Sequence, residues 1–178
     1  QSGIIPWVPF YKKTLKRRDQ RPSRKYYRSK ESKKFNIQVS DKLYGKYNLE
    51  KLQMQSLIDS KLLSKGEKYS DLPTIFMQYI LEEKYKTTLE NLFIERISKP
   101  LNLQSTFYLP LKYRDESEII PSEIDTYFRQ NKLTGYVHDM TASIKGGVSG
   151  HAGLFSNAFD IAKIMQMFLQ KGEYSGLN

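Results

Sequence analysis

A tyrosine and two small polar residues at the start of a predicted helix form the first group in this sequence that could do chemistry. Tyr69, Ser70 and Asp71 directly precede the segment 72–84, in which apolar residues recur at helical spacing. This pattern predicts Asp71 as the N-cap residue. Because the first turn of a helix carries partial positive charge, Tyr69 and Ser70 would lie where a bound anion or a developing negative charge is stabilised. The simpler interpretation is a capping turn, which Asp71 closes and Tyr69 covers.

A second polar group lies in and around a glycine-rich bend further along the chain. Residues 146–153 include Ser149, His151 and Gly153, and His138-Asp139 precedes them. The bend is not a phosphate-binding loop, because no lysine follows its glycines, and it is not a nucleophile elbow, because His151 stands where that motif needs glycine. A histidine beside an aspartate is typical of a hydrogen bond that organises a loop.

The remaining polar residues predict neither a metal site nor a cofactor site. The chain has two histidines and no cysteine, which excludes disulfides, thiol nucleophiles and thiolate metal sites. Glu123 and Asp125 could act as a carboxylate pair, but alternating acids in a polar loop are more typical of a solvated surface. We therefore predict no bound metal and no cofactor.

The elements that would position these groups are mostly helices. The last of them is predicted to bury Ile161, Ile164, Met165 and Phe168. With long loops and few short strands, the pattern predicts a mainly α fold. The predicted elements are a strand at 35–39 and helices at 49–58 after Asn48, at 72–84, at 87–99 behind a Thr87–Glu90 capping box, and at 157–171 opened by Asn157 with Asp160.

The positive charge of the chain is concentrated in one segment. Residues 12–34 hold twelve Lys/Arg and two acidic residues, and their local charge of +10 equals the net charge of the whole chain. The segment lacks a helical or strand period and contains Pro22, so it is predicted to be a mobile, solvated loop within a single domain, 1–178. Tyr26 and Tyr27 could stack on bases, but no recognised nucleic-acid-binding fold accompanies them, and we predict no nucleic-acid partner.

Several motifs, in one order along the chain, resemble those of a known superfamily. They are 69–72 (Tyr-Ser-Asp-Leu), 99–103 (Lys-Pro-Leu-Asn-Leu) with Thr106, and 153–163, which opens Gly-Leu-Phe-Ser-Asn-Ala. Together they resemble the serine beta-lactamase / penicillin-binding-protein superfamily, in particular its class C-like branch of esterases and D-alanyl-D-alanine peptidases. Residues 2–6 look like the Ser-Gly-Leu-Pro loop of that branch.

Two further segments look like a narrower subgroup. Residues 137–139 and 146–153 are similar to members joined to a family 3 beta-N-acetylglucosaminidase domain in envelope proteins. The resemblance therefore runs nearly from one end of the chain to the other. It implies the helical lobe of the beta-lactamase/transpeptidase-like fold.

The resemblance implies acyl transfer by a serine that is followed three residues later by a lysine. It makes Tyr69 a proton shuttle and Asp71 the polar group that faces the substrate. Ser70 is the middle residue of the motif, without a chemical role of its own, and is grouped with His151 and Gly153 as substrate-binding. The motif usually ends in Asn rather than Asp. Since an ionised carboxylate only accepts hydrogen bonds, Asp71 favours an ester, amide or peptide substrate over a beta-lactam, or indicates a degraded site.

The nucleophile of that chemistry is expected outside this chain. No serine here has a lysine three residues on, and no Lys-Thr-Gly occurs. The chain also begins with Gln1 rather than Met and has no apolar run long enough to cross a bilayer. The resemblance therefore implies a central fragment, inactive alone and partnered by the rest of its parent hydrolase. The substrate would be a small molecule or cell-wall component in the bacterial envelope or periplasm.

Three alternatives remain open from the sequence. A non-catalytic relative could use the basic segment to hold an acidic envelope polymer. An independent nucleic-acid binder could use the same residues, 12–34. The chain could also be part of a beta-N-acetylglucosaminidase fusion protein.

Overall fold

The structure of the chain is a computed structural model that describes residues 5–62 and 66–176. Helix accounts for 37% and strand for 15% of it, so the prediction of a mainly α fold with few short strands is met in outline only. After α3 the chain continues into a π-helical turn, Ile94–Ser98. The helices are α1 (Leu49–Ile58), α2 (Leu72–Tyr85), α3 (Leu89–Phe93), α4 (Met140–Ile144) and α5 (Ala158–Leu169).

Strands form three small antiparallel sheets. The first has the order β1-β3-β2, and the other two are the pairs β4–β7 and β5–β6. The predicted strand at 35–39 is confirmed as β2. The strands are β1 (Tyr27–Arg28), β2 (Phe35–Ser40), β3 (Leu43–Lys46), β4 (Phe107–Tyr108), β5 (Glu123–Ile124), β6 (Lys132–Leu133) and β7 (Leu154–Phe155).

Two apolar clusters hold these elements together. In the larger one the ring of Phe128 lies 5.4 Å from that of Tyr11 and 5.7 Å from that of Tyr27. Each fully buried side chain of this size contributes roughly 1.5–3 kcal/mol to folding. The larger cluster comprises Phe10, Tyr11, Tyr27, Val39, Leu49, Phe128 and Ile144, and the smaller one joins α1 to α2 through Val8, Leu57, Leu72 and Ile75.

The basic segment 12–34 is anchored to the larger cluster. Thr14 and Tyr27 are buried, and their side-chain oxygens are 2.7 Å apart. Tyr27 also begins β1, which pairs with β3, an element that the sequence pattern did not predict. The lysines and arginines of the segment are exposed. The mobility of this segment remains a prediction.

The buried face predicted for α5 is wrong. Ile161, Met165 and Phe168 are 41%, 48% and 65% exposed, whereas Asp160 is buried. The carboxylate of Asp160 accepts hydrogen bonds from the Ser105 N–H at 2.7 Å and the Thr106 hydroxyl at 2.9 Å. Helical periodicity shows which residues share a face, but here a polar anchor decides which face is turned inward.

Two of the predicted helix caps also differ in the structure. Asn48 precedes α1 but makes no capping hydrogen bond with its side chain. The cap of α3 is Thr88 rather than Thr87, because the Thr88 hydroxyl accepts the Asn91 N–H at 3.3 Å. The carboxylate of Glu82, on α2, accepts the Leu89 N–H at 2.8 Å and so takes the place of the predicted capping box.

Candidate functional site

The tyrosine turn, residues 69–71, is tied to the N-terminal loop of the described chain. The Ser70 hydroxyl donates to the carbonyl oxygen of Ile5 at 2.7 Å, and the Asp71 N–H donates to that of Pro6 at 3.2 Å. Ser70 is buried, and the side chain of Tyr69 projects into solvent, 80% exposed. Two motifs that are far apart in the sequence therefore meet at the start of α2. Residues 2–4 of the predicted loop motif lie outside the described residues.

The capping of α2 is divided between two residues. Asp71 precedes the helix as predicted, but its side chain makes no capping hydrogen bond. The Ser70 hydroxyl accepts the Leu72 N–H at 3.2 Å instead. The Asp71 carboxylate is thus not used by the backbone of α2, although it lies at the partially positive end of that helix.

A hydrogen-bonded chain of three side chains crosses the glycine bend, residues 146–153. His151 Nε2 lies 2.9 Å from Asp139 Oδ1, and its Nδ1 lies 2.9 Å from the Ser149 hydroxyl. Since the carboxylate can only accept, we assign a proton to Nε2, which donates to Asp139. Asp139 Oδ1 also accepts the Ala142 N–H at 2.7 Å and so caps α4.

This serine–histidine–aspartate chain binds parts of the fold together and lacks the access that a nucleophile needs. Ser149 is 1% exposed, and its backbone forms an antiparallel bridge with Ala152 that closes the bend. A carbonyl substrate has no approach to that hydroxyl in this arrangement. Burial opposes ionisation of Asp139, but hydrogen bonds from His151 and the Ala142 N–H outweigh it and hold the pKa of the carboxyl below its usual value.

The partner of Asp139 is not the one that the sequence suggested. His138, its neighbour in the chain, points instead toward Glu123, with 3.6 Å between Nε2 and the carboxylate. A sequence argument could have identified Asp139 as a helix cap but gives no reason to pair it with His151. The contact is non-local in the sequence and depends on how the bend returns to α4.

The glycine bend packs directly against α2. A Cβ atom added to Gly150 would lie 2.1 Å from the carbonyl oxygen of Thr74, so only glycine allows this approach. The Gln78 side-chain carbonyl accepts from the Gly150 N–H at 3.2 Å and from Lys145 Nζ at 2.6 Å. These contacts fix the bend against the helix that begins with the tyrosine turn.

The acidic pair predicted to be solvated is instead tied to an arginine. Asp125 is buried and accepts from Arg129 Nε at 2.7 Å, and Glu123 accepts from the same guanidinium at 3.0 Å. Although burial opposes ionisation of Asp125, the hydrogen bonds from Arg129 lower its pKa. Arg129 also donates to the carbonyl oxygens of Val137 and His138, both at 2.6 Å. The acids therefore help to orient the segment that leads into α4.

Two cavities adjoin the glycine bend. One, of about 250 Å³, is lined by Val39, Gly146, Gly147 and Phe155 among others. The other, of about 520 Å³, is more open and is lined by Asp139 and Gly153. Tyr69 lines neither of them, so the tyrosine turn and the walls of these two cavities are separate parts of the surface. In residues 5–62 and 66–176, no group of three or more acidic, histidine or cysteine side chains could hold a metal ion.

Comparisons with known proteins point to enzymes of the cell wall. No protein-family model matches the chain. It is 36% identical over 121 residues to a putative D-alanyl-D-alanine carboxypeptidase of Salmonella agona, a match that covers 61% of this chain and 28% of that protein. A protein of the same name from Escherichia coli is 37% identical over 118 residues, with 60% and 27% covered.

Two further proteins are similar to this chain. An N-acetylmuramyl-L-alanine amidase of Bacillus subtilis is 36% identical over 122 residues, which cover 62% of this chain and 28% of the amidase. The octameric penicillin-binding protein homologue from Pyrococcus abyssi, a solved structure, is 18% identical with a TM-score of 0.44, and the match covers 66% of this chain and 25% of that one. The chain thus spans less than a third of the length of the curated relatives that it matches. By sequence, this chain is therefore similar to a part of proteins named as D-alanyl-D-alanine carboxypeptidases and as an N-acetylmuramyl-L-alanine amidase.

Proposed function

We propose that this chain is the tyrosine-bearing lobe of a serine hydrolase that cleaves an amide bond in a cell-wall peptide. The observation that carries the proposal is the tyrosine turn, where the Tyr69 phenol is exposed at the start of α2 while Ser70 ties the turn to Ile5. An exposed phenol on an anchored backbone can reach a substrate without moving the fold. The names of the relatives, a carboxypeptidase and an amidase that act at alanine, favour a peptide substrate.

In this proposal Tyr69 shuttles a proton and Asp71 contacts the substrate. The Tyr69 phenolate would take the proton of the attacking serine hydroxyl, and the resulting phenol would pass that proton to the leaving amine, which regenerates the phenolate. The partial positive charge at the start of α2 would stabilise this anion before and after the transfer. Asp71, as an ionised carboxylate, would accept a hydrogen bond from a substrate N–H. The serine and its lysine would come from polypeptide outside these 178 residues, so the chain alone would be inactive.

The two predicted substrate-binding residues of the glycine bend would act in different ways. Gly153 lines the more open cavity, where a peptide could lie against it. His151 is held between Ser149 and Asp139, so it would shape the bend rather than contact the substrate. Both residues remain part of the proposal.

The exposed side of α5 supports a further partner, the rest of the hydrolase domain. Ile161, Met165 and Phe168 are exposed in the 178-residue chain. Uncovered apolar side chains on one helix face commonly mark an interface. Most of each matched relative lies outside the aligned region, and the corresponding polypeptide of a parent protein could cover this face. The cell envelope or periplasm is the proposed location, by analogy with these relatives.

The narrower subgroup, with a fused beta-N-acetylglucosaminidase domain, is proposed on two segments that the structure brings together. Residues 137–139 and 146–153 are joined by the bond of 2.9 Å between Asp139 and His151. The translated gene on either side of this chain tests the assignment. A glucosaminidase domain there would support it, and its absence would restrict the proposal to the broader superfamily.

The enzymatic proposal is tested in the longer parent protein with a serine-directed fluorophosphonate. The parent is expected to become labelled and the isolated chain to stay unlabelled. Tyr69→Phe should lower kcat of the parent about 100-fold or more, the usual size of a lost proton-transfer step, with a change in Tm of no more than about 2 °C. Tyr47→Phe is the matched control, because Tyr47 is also exposed. A labelled isolated chain would refute the location of the nucleophile, and an undiminished kcat in Tyr69→Phe would refute the proton shuttle.

A further inference from the structure

The basic segment presents a compact group of cations, here called the basic tip: Lys16, Arg17, Arg18 and Arg21. The backbone closes the tip on itself, since the Lys16 N–H donates to the Arg21 carbonyl oxygen at 2.8 Å. An antiparallel bridge between Leu15 and Pro22 holds its base. All four cationic residues are exposed, and they lie within six consecutive residues of the loop that this backbone contact closes.

A second group of cations flanks β1, the strand that anchors the segment. Arg24, Lys25, Lys30, Lys33 and Lys34 are exposed on either side of it. The bond of 2.7 Å between Thr14 and Tyr27 holds the stretch before the tip against the stretch after it. The two groups thus belong to one positively charged surface supported by the larger apolar cluster.

This charge is almost unpaired within the protein. In the parts of the chain that the structure describes, Lys16 and Asp19, 3.8 Å apart, form the only ion pair of the segment 12–34. Outside that segment the basic and acidic residues balance. Concentrated like charge lowers the stability of a folded chain through repulsion, and an anionic partner would remove that cost.

The aromatic residues of the segment indicate what kind of anion fits. Stacking on bases needs exposed rings, but Tyr27 is 2% exposed and Phe35 is also buried. Tyr26 is half-buried, and Lys25 Nζ lies 5.2 Å from the centre of its ring. The surface therefore offers charge without a platform for bases, which disfavours single-stranded nucleic acid.

We infer that the basic surface of segment 12–34 binds the carboxylate-bearing glycopeptide polymer of the cell wall and holds the enzyme on its polymeric substrate. This inference rests on the proposed function, which makes a cell-wall peptide the substrate. Arginine guanidinium groups pair with carboxylates through two parallel hydrogen bonds, and the tip carries three arginines in six residues. Repeated weak contacts along one polymer add up to retention without a deep pocket.

The test is co-sedimentation of the 178-residue chain with isolated cell-wall sacculi at increasing salt. The tip variant replaces Lys16, Arg17, Arg18 and Arg21 by Gln. The matched control replaces four exposed lysines elsewhere, Lys42, Lys51, Lys132 and Lys171, by Gln, which changes the net charge equally. We expect the tip variant to bind about tenfold more weakly and with a shallower salt dependence, and the control to bind within about twofold of the unmodified chain.

A second variant keeps the inference falsifiable if the tip variant loses its fold. Replacing Arg24, Lys25, Lys30 and Lys33 by Gln leaves the tip intact and should also weaken binding more than the control. Equal weakening in the control would show a net-charge effect and overturn the inference. So would tighter binding to a thymidine oligonucleotide than to sacculi at the same ionic strength.

These outcomes are separable from those that test the proposed function. Binding to sacculi is measured without catalysis. If the parent protein is inactive but the 178-residue chain still binds sacculi through the tip, only the enzymatic role is overturned. An active parent whose tip variant binds sacculi as tightly as the unmodified protein would overturn only this inference.

Discussion

The glycine bend and α5 differ in how much of their surface is covered by the rest of this chain. Within the described residues, the bend makes close contacts with α2, with its own backbone and with the start of α4. Gly150 lies against α2, Gly153 lies against Gly147, and His151, which contacts Ser149, is hydrogen-bonded to Asp139 at the start of α4. α5 instead hydrogen-bonds the body through Asp160 and Lys163 and leaves Ile161, Met165 and Phe168 exposed.

The difference shows that polarity alone does not tell which face of an element is internal. In α5 the buried carboxylate of Asp160 accepts two hydrogen bonds, and the polar side of the helix therefore faces the interior. In the bend a buried histidine and serine form part of the interior because their hydrogen-bonding groups are paired. We therefore expect substitutions in the bend to affect the isolated chain and substitutions on the outer side of α5 to affect its assembly with other polypeptide.

The largest effect is expected for Gly153→Ala. The added Cβ would lie 2.0 Å from the carbonyl oxygen of Gly147, and the φ of +111° is itself unfavourable for alanine. Because the clash is with backbone, the bend must move, and we expect a loss of about 3 kcal/mol or more in the free energy of unfolding, measured by urea denaturation. Gly172→Ala is the matched control, with a φ of +103° but nothing within 4 Å of the added atom.

The control isolates the contact from the backbone conformation. Gly172→Ala should cost about 1 kcal/mol, the usual penalty for alanine at positive φ. Equal losses in the two variants would mean that the close approach to Gly147 does not constrain the bend.

Much of the local structure could be predicted from the sequence, because it depends on neighbouring residues. Asn157 caps α5 as predicted, and Asp139 caps α4 in the same way, each accepting an N–H three residues on. The start of α2 behind Asp71 was also predicted, although Ser70 supplies the capping oxygen. Such contacts span only a few residues, so spacing and residue type are enough to identify them.

The non-local contacts could not be predicted, and they carry most of the candidate site. Nothing in the sequence pairs His151 with Asp139, Gln78 with Lys145, or Ser70 with Ile5. The burial of Tyr27 was missed for the same reason, since its partner strand β3 comes later in the chain. Tyr69 was identified through a motif whose meaning comes from family resemblance, and its catalytic role remains a proposal.

An intermediate effect is expected for Asp139→Asn. The variant keeps an oxygen for the Ala142 N–H but loses the charge that strengthens the bond to His151, a loss of about 1–2 kcal/mol at pH 7. The pKa of Asp139 is held below its usual value of 3.8. Its charged form therefore stabilises the fold above about pH 4, and that contribution disappears as the pH falls through the lowered pKa.

The pH dependence of the free energy of unfolding tests this role of the Asp139 charge. The difference in unfolding free energy between the unmodified chain and Asp139→Asn should be largest at pH 7 and should shrink toward pH 2.5. Asp41→Asn, at an exposed residue beside Lys42, should show a difference near zero throughout. A difference that widens on acidification would mean that the charge of Asp139 opposes the fold.

The smallest effect on the isolated chain is expected for Phe168→Ser on the outer side of α5. Phe168 is already 65% exposed, so its removal should change the free energy of unfolding by no more than about 0.5 kcal/mol. Ile75→Ser, at a residue 1% exposed within the smaller apolar cluster, should cost about 3 kcal/mol or more in the same urea titration. In the longer parent protein the ranking should change, because Phe168 would there be covered and its loss should cost about 2 kcal/mol or more. A large loss already in the isolated chain would show that the chain covers this face itself, and α5 would then resemble the bend rather than contrast with it.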